Sequence, residues 1–510
     1  MQLLNRGKVF LVGAGPGHPE LITYRGVRCL QRSDAVLYDY LVNPLILRHA
    51  SKEAELVCLG GHGPANKWSQ EAINDELVRR AQAGQNVVRL KSGDPMIFGR
   101  AAQEIEALAK HQIPFEVVPG VTAATAAAAC AGVPITDRDQ ASAVAFITGQ
   151  EARHKRTSPL DYDALARFPG TLVFYMGVTT ATLWSQALIA AGKSPDTPVL
   201  IVRRCSWPDQ QSIACSLADV STRLTPYNRI PPPVIIIVGE VAARDLAFDW
   251  FEQQPLFGQC VCVTRPEHQA GTLETLLTEL GAEVVLQPAI EISAPADWGP
   301  VDRAIDRLKE FDDVVFSSAN GVRYFLERME QQADLRRLGN CRLAAIGPAT
   351  AAALAAWHLR ADVLPAEFRA ESLARQLGQD ARGRRFLLIR ASRGRELLAD
   401  ELTAAGGIVE QVVAYESRDV TIPDETVRAM LRAGRIDWMT VTSSAIANSL
   451  IRLFGQDLHR TRLASISPIT SATLADEGLT AAVEASIYTT DGLVQEILRA
   501  GSSRSPHRSA

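Results

Sequence analysis

The chain has 510 residues, which leaves room for about three or four compact units at ~150 residues each. Apolar side chains make up 47%, enough for substantial cores, while charged ones make up 22% and sum to −4. That even balance excludes a polyanion-coating protein, so neither nucleic acid nor a membrane surface is an expected partner.

Eight cysteines, at positions 29, 58, 130, 205, 215, 260, 262 and 341, form no CxxC pair and keep no metal spacing with histidine. They point to buried thiols in a reducing, cytoplasmic compartment, with no metal. No apolar run approaches the ~20 residues of a membrane span. Residues 1–8 do not read as a signal peptide.

Taken in order, Val9-Phe10-Leu11-Val12 reads as a buried strand running into Gly13-Ala14-Gly15-Pro16-Gly17-His18-Pro19-Glu20. Glycines let the backbone turn sharply beside a ligand, and Pro19 suits the first turn of a helix. The dinucleotide fingerprint, however, needs glycine where His18 stands. Pro16 removes an amide that phosphate could use, and Glu20 puts negative charge at the helix start. The loop therefore disfavours a pyrophosphate and suits a nucleoside without phosphates, such as the sulfonium cofactor S-adenosylmethionine. The same glycines also suit a purely structural turn.

Ser33-Asp34-Ala35-Val36-Leu37-Tyr38-Asp39 reads as a second strand ending in an acid, and residues 54–59 as another. Ser69-Gln70-Glu71 opens an amphipathic helix that runs to about Ala83 and stops at Gly84. Val87-Val88-Arg89-Leu90 is a further strand, leading into Lys91-Ser92-Gly93-Asp94-Pro95, where Asp94 can cap a helix opening at Pro95. Strand, loop and helix alternate as far as Pro119-Gly120-Val121-Thr122-Ala123, whose alanine-rich continuation suits a closely packed helix.

Five stretches carry a resemblance: Gly13-Ala14-Gly15-Pro16-Gly17, Tyr38-Asp39-x-Leu41-Val42, the segments 89–100 and 118–134, and Tyr175-Met176-Gly177. With Pro233-Val234-Ile235-Ile236-Ile237-Val238-Gly239-Glu240, they resemble uroporphyrinogen-III C-methyltransferase over about residues 7–245. The resemblance implies a two-lobed tetrapyrrole methylase fold, with lobes of about 1–134 and 135–250 and S-adenosylmethionine in the cleft between them. It assigns Pro16, Ser92, Gly93, Asp94, Ile97, Thr122, Ala123, Met176 and Cys205 to cofactor contacts. It makes Asp39 the proton acceptor and Arg100 a handler of substrate, with Arg25 and Arg138 helping to bind carboxylates. The implied reaction is methyl transfer to two pyrrole carbons, giving precorrin-2, which the protein promotes by alignment and exclusion of water. A homodimer through this half is also implied.

Each residue has a plainer use as well: Asp39 and Asp94 as caps, Met176 as core filler, Arg25 and Arg138 as solvated surface. The sequence also departs from the pattern. Gly61 and His62 stand where many relatives carry lysine and arginine, so the lysine's proton-donor role is vacant or passes to His62 or Lys67. Gln103 replaces a common glutamate, and Cys205-Ser206 replaces a Gly-Thr pair beside the cofactor, where the backbone can still make the contact.

Residues 251–257 form a short connector, too apolar for a freely flexible tether. Cys260-Val261-Cys262-Val263 then begins a second alternating α/β pattern, with a helix over about 268–280 and a strand at Val284-Val285-Leu286. An internal repeat follows. Asp313-Val314-Val315-Phe316-Ser317-Ser318-Ala319-Asn320 recurs as residues 438–445, and Arg342-Leu343-Ala344-Ala345-Ile346-Gly347-Pro348-Ala349-Thr350 as residues 462–470. Each copy places a hydroxyl-rich loop between strand and helix, where it binds carboxylates or merely caps the helix.

Thr264-Arg265-Pro266, the paired Ser-Ser loops, residues 346–350 and Val412-Val413-Ala414-Tyr415-Glu416-Ser417 resemble uroporphyrinogen-III synthase over about 258–500. That resemblance implies two α/β lobes joined by a two-stranded ladder, with connectors near 289–297 and 412–420. The implied reaction closes hydroxymethylbilane into uroporphyrinogen III while inverting the last pyrrole. Tyr415 matches the family's tyrosine, a weak acid near the leaving hydroxyl, and also suits ordinary packing. Arg265, Ser318, Ser443 and Thr470 are carboxylate-binding candidates.

The whole chain thus resembles a bifunctional α/β fusion acting on hydroxymethylbilane and uroporphyrinogen III, with S-adenosylmethionine as its cofactor. Two alternatives stay open: a methylase of another precorrin, and a second half that is a non-catalytic binding module. Sirohaem, cobalamin and haem d1 are equally open as eventual products. Residues 501–510 are small, polar and unpatterned, and are expected to be disordered.

Overall fold

The computed structural model describes residues 7–60, 68–150, 160–224, 230–243, 248–367, 369–394 and 396–501. Gly61, His62, Lys67 and residues 502–510 lie outside the described residues. The chain divides into two compact units, one of Met1–Gln259 with Leu277–Glu283 and one of Cys260–Leu276 with Val284–Ala510.

The first unit holds two five-stranded sheets. Strands β1 (Val9–Gly13), β2 (Ala35–Tyr38), β3 (Glu55–Cys58), β4 (Val87–Lys91) and β5 (Phe115–Val118) form an all-parallel sheet in the order β3-β2-β4-β1-β5. Leu11, Val12, Leu37, Val88 and Leu90 are fully buried there, each contributing about 1.5–3 kcal/mol of transfer free energy. The amphipathic helix expected after Ser69 spans Gln70–Gln82, and the Ser69 hydroxyl accepts from the Ala72 amide at 3.1 Å. It buries Ile73, Leu77, Val78 and Ala81 against one face of the sheet.

Strands β6 (Val144–Thr148), β7 (Thr171–Tyr175), β8 (Pro198–Arg203), β9 (Gln211–Ser216) and β10 (Val234–Val238) form a mixed sheet in the order β6-β7-β10-β8-β9. The alanine-rich helix Ala123–Cys130 follows β5 yet packs on this second sheet, against Val173, Leu200, Val202, Ile235 and Ile237. Its methyl-sized side chains permit the close approach.

One local expectation fails. No helix opens at Pro95: the chain turns there, and the next helix is Ala101–Lys110. Phe98 and Arg100 take left-handed φ values of 51° and 57°, which a right-handed helix cannot contain. Asp94 therefore caps no helix. Its Oδ1 accepts from the Met96 amide at 2.8 Å and its Oδ2 from the Gly120 amide at 2.9 Å, tying two strand-end loops together.

The second unit holds the repeat. Strands β11 (Cys260–Val263), β12 (Glu283–Leu286), β13 (Ile290–Ser293), β14 (Asp313–Phe316), β15 (Arg342–Ala345), β16 (Arg385–Ala391), β17 (Ile408–Asp419), β18 (Trp438–Val441), β19 (Arg462–Ser465) and β20 (Ala481–Glu484) form two sheets. Their orders are β12-β11-β18-β19-β20 and β13-β17-β16-β14-β15. The repeated segments become β14 and β18, then β15 and β19, at equivalent places in the two sheets. The expected connector pair is β13 with the end of β17, antiparallel, with Ile290 opposite Asp419 and Ser293 opposite Glu416.

Candidate functional site

The carboxyl ends of parallel strands are where open α/β sheets bind ligands, and the first sheet carries a cleft of about 630 Å³ there. Pro16, Asp39, Ser92, Gly93, Asp94, Ile97, Arg100, Thr122, Ala123, Met176 and Cys205 all line it. They arrive from four separate loops of the first sheet, those after β1, β2, β4 and β5, and from the ends of β7 and β8. Left-handed backbone concentrates at this cleft. Phe98, Arg100 and Met176 line it, and Arg204 and Ser206, with φ of 47° and 63°, flank Cys205. Such conformations cost about 1–3 kcal/mol each and persist where surrounding structure imposes them.

Three amides of the glycine turn are committed to protein acceptors rather than offered to a phosphate. Ala14 N donates to the Lys91 carbonyl at 2.8 Å, Gly15 N to the Gly93 carbonyl at 3.2 Å, and His18 N to the Ser206 hydroxyl at 3.0 Å. Gly13 is a glycine of close approach, because a Cβ there would stand 2.5 Å from Gly120 Cα.

Met176 is 47% exposed on the cleft wall rather than filling a core. Beside it, the Tyr175 hydroxyl lies 2.6 Å from Thr122 Oγ1 and accepts from the Ala124 amide at 3.0 Å. Its ring meets that of Phe98 at 5.0 Å. Cys205 is buried, which pushes its thiol up to about 12; it donates weakly to the Ala123 carbonyl at 3.6 Å. Asp39 follows β2, and its Oδ1 accepts from Arg89 Nη2 at 2.5 Å. Arg100 is exposed.

Arg25 and Arg138 do not reach the cleft. Arg25, on the helix Tyr24–Leu30, forms a two-pronged pair with Glu116 at 2.8 Å. Arg138 is exposed in a turn and lines no part of the cavity. Sequence reasoning quoted Tyr175 within Tyr175-Met176-Gly177 without giving it a role, and missed Trp207, for which no local signal exists.

In the second unit a cavity of about 510 Å³ is lined by Arg265, Asn320, Arg393, Tyr415, Ser443 and Arg452, among others. Burial lowers the Arg265 guanidinium from its ordinary value, and among the described residues no hydrogen-bond or ion-pair partner compensates it. Arg393 pairs with Asp419 at 2.6 Å, and Arg452 pairs with the same carboxylate. Neither arginine was legible in the sequence, since each sits on an element without a motif. Tyr415 is 6% exposed, and burial raises its phenol, opposed by bonds from Ser318 and Asn320. Its hydroxyl lies 2.8 Å from Ser318 Oγ.

The hydroxyl-rich loops serve first as helix caps. Ser318 Oγ accepts from the Gly321 amide at 3.1 Å, and Ser443 Oγ accepts from the Ile446 amide at 3.2 Å. Ser443 still faces the cavity. Thr470 does not: it is 2% exposed and sits 3.1 Å from the Ser467 hydroxyl inside the helix start. Among the described residues no group of three acidic, histidine or cysteine side chains could hold a metal, and no helix is long and apolar enough to cross a membrane.

Two family models match the chain. One, described as tetrapyrrole (corrin/porphyrin) methylases, covers residues 8–221. The other, described as uroporphyrinogen-III synthase HemD, covers residues 271–495. A porphyrin biosynthesis protein HemD from Ruminiclostridium josui is 33% identical over 88% of this chain and 89% of its own length. A uroporphyrinogen-III C-methyltransferase from Bacillus subtilis is 37% identical over 66% of this chain and 69% of its own. Siroheme synthase 1 of Yersinia enterocolitica is 44% identical over 50% of this chain, which spans only 53% of that relative. With one relative aligned along nearly all of both sequences, the chain belongs to the porphyrin-biosynthesis family in which a tetrapyrrole methylase precedes a uroporphyrinogen-III synthase.

Proposed function

We propose that the second unit cyclises hydroxymethylbilane to uroporphyrinogen III, inverting the last pyrrole, and that the first unit methylates this product twice to give precorrin-2. S-adenosylmethionine is the proposed donor. The observation that carries the methylase reading is the glycine turn, whose Ala14, Gly15 and His18 amides are occupied by protein acceptors while its cleft is walled by Pro16, Gly93, Ala123 and Met176. Such a wall suits an uncharged ribose and a sulfonium rather than a diphosphate. Each Asp94 oxygen accepts one protein amide and keeps a lone pair for a ligand donor. The residues present therefore fit this cofactor.

When bound, S-adenosylmethionine supplies an electrophilic methyl and is left as a neutral thioether. The chain's residues align a pyrrole carbon with that methyl and keep water out. As the new carbon–carbon bond forms, the ring gains a positive charge, and loss of one proton restores it. Asp39, a carboxylate on the cleft wall, takes that proton. Arg100 at the exposed rim holds substrate carboxylates.

In the second unit, the Tyr415 phenol protonates the departing hydroxyl, which leaves as water. Arg265, Arg393 and Arg452 hold the carboxylates of the linear substrate in the folded pose that brings its ends together. Residues 251–257 join the two activities, and a cytoplasmic homodimer through the methylase half completes the proposal.

The test is a coupled assay of the full chain with hydroxymethylbilane and S-adenosylmethionine, with products separated by mass. Precorrin-2 is expected. Uroporphyrinogen III accumulating unmethylated would sink the methylase reading, and release of the non-inverted isomer alone would sink the synthase reading.

A further inference from the structure

Arg89 and Lys91 are two residues apart on β4, so both point to the same face of the sheet. They are 3% and 4% exposed, in the middle of a sheet whose other buried positions are apolar. Across from them, in the first turn of the helix Ala101–Lys110, sits Glu104, which is 0% exposed. Its Oε1 accepts from Arg89 Nε at 3.1 Å and from Lys91 Nζ at 2.7 Å, while its Oε2 is buried without a hydrogen-bond partner. The other end of the Arg89 fork reaches Asp39 Oδ1 at 2.5 Å, and Nη1 donates to the Leu90 carbonyl at 3.1 Å.

Burying such charges removes them from water at several kcal/mol per ion, and apolar side chains of similar volume commonly do as well or better for stability. Stability alone therefore does not account for this cluster. Its geometry does have a consequence. The guanidinium is fixed by acceptors on three sides and cannot rotate. It binds one oxygen of Asp39, and the other oxygen has no protein partner among the described residues on a cleft-lining side chain.

We infer that Arg89 is a positioning residue for methyl transfer, holding the Asp39 carboxylate with one oxygen presented to the cleft, and that Glu104 and Lys91 form the charge-balancing base of that mount. The inference rests on Asp39 being the proton acceptor. Glu104 has a distinct part. When Asp39 takes a proton and becomes neutral, Glu104 still holds Arg89 in place, so the acceptor is returned to the same position for the second methylation.

The test is a mutant cycle in the full-length protein supplied with uroporphyrinogen III and S-adenosylmethionine: Asp39→Asn, Arg89→Gln, the double variant, and Glu104→Gln. Single-turnover methylation is read beside calorimetric binding of S-adenosylhomocysteine. Asp39→Asn is expected to slow methylation about a hundredfold. Arg89→Gln should slow it more than tenfold with S-adenosylhomocysteine affinity unchanged, and the double variant should be no slower than Asp39→Asn, because residues acting as a unit are not additive. Glu104→Gln should depress the second methylation more than the first. If Asp39→Asn keeps full rate, the proton-acceptor reading fails and takes this one with it. If Asp39→Asn is slow but Arg89→Gln is fast, or the two losses multiply, only the positioning role is overturned. Arg89→Lys keeps the charge but not the fork and replaces an insoluble Arg89→Gln; a full-rate Arg89→Lys beside a slow Asp39→Asn also overturns it.

Discussion

Trp207 lies across Gly17: its indole N–H donates to the Pro16 carbonyl at 3.1 Å, and a Cβ on Gly17 would stand 2.2 Å from that same nitrogen. The ring is held from another side by the Arg204 guanidinium at 4.2 Å. A residue from the loop between β8 and β9 of the second sheet thus latches the glycine turn of the first.

Gly17→Ala overpacks this contact and should cost about 1–3 kcal/mol, with a matching loss of S-adenosylhomocysteine affinity in calorimetry. Combining it with Trp207→Leu should recover part of the melting temperature, giving less than the sum of the single losses. Strictly additive losses would mean the two residues do not share the contact.

Arg265 is a desolvated guanidinium with no counter-charge among the described residues. Arg265→Leu should leave the melting temperature unchanged or raise it, while the KM for hydroxymethylbilane rises at least about tenfold, the worth of one charged hydrogen bond. Steady-state kinetics of uroporphyrinogen III formation checks it, and an unchanged KM would remove Arg265 from the substrate site.

Tyr415 carries a phenol raised above its usual value of 10.0 by burial, so it stays protonated throughout the neutral range. Tyr415→Phe should slow ring closure by about tenfold or more and raise the share of the non-inverted isomer, separable by chromatography. The wild-type rate should show no phenol ionisation below pH ~9. An unaltered rate and isomer ratio in the variant would leave Tyr415 a packing residue, stacked on Tyr324 at 5.9 Å.

Glu252 sits beside Asp249 and accepts from Gln210 Nε2 at 3.2 Å. Burial, with the Asp249 charge adding to it, pushes its carboxyl from 4.5 to about 7 against the bond from Ser212. The folded state therefore holds this proton more tightly than the unfolded chain does. Its penalty is absent below the ordinary 4.5, grows as pH rises to about 7, and is full above that. Glu252→Gln should melt higher than wild type at pH ~8 and equal to it near pH ~5. Parallel melting curves at both pH values would contradict the assignment.

Much of the fold was legible because its signals are local. A continuous apolar run closed by glycine marks β1, and Ser69 marks its helix through a cap that involves only Ala72. The helix misplaced at Pro95 shows the limit. Asp94-Pro95 is sound local chemistry for a helix start, but Phe98 packs on Tyr175 and takes a left-handed backbone that local preference does not foretell. Arg25 was misplaced for a similar reason, since Glu116, its partner, lies 91 residues away.

What the sequence by itself determined is the order of strands, loops and helices and the chemistry each loop carries. These follow from side-chain period, turn residues and motif spacing, which act over a few neighbours. Only the tertiary structure decided which charges meet: Asp39 with Arg89, Arg89 with Glu104, Asp419 with both Arg393 and Arg452. Those pairings join separate elements 15 to 50 residues apart, and they depend on sheet register and helix packing that emerge only once the whole core is buried.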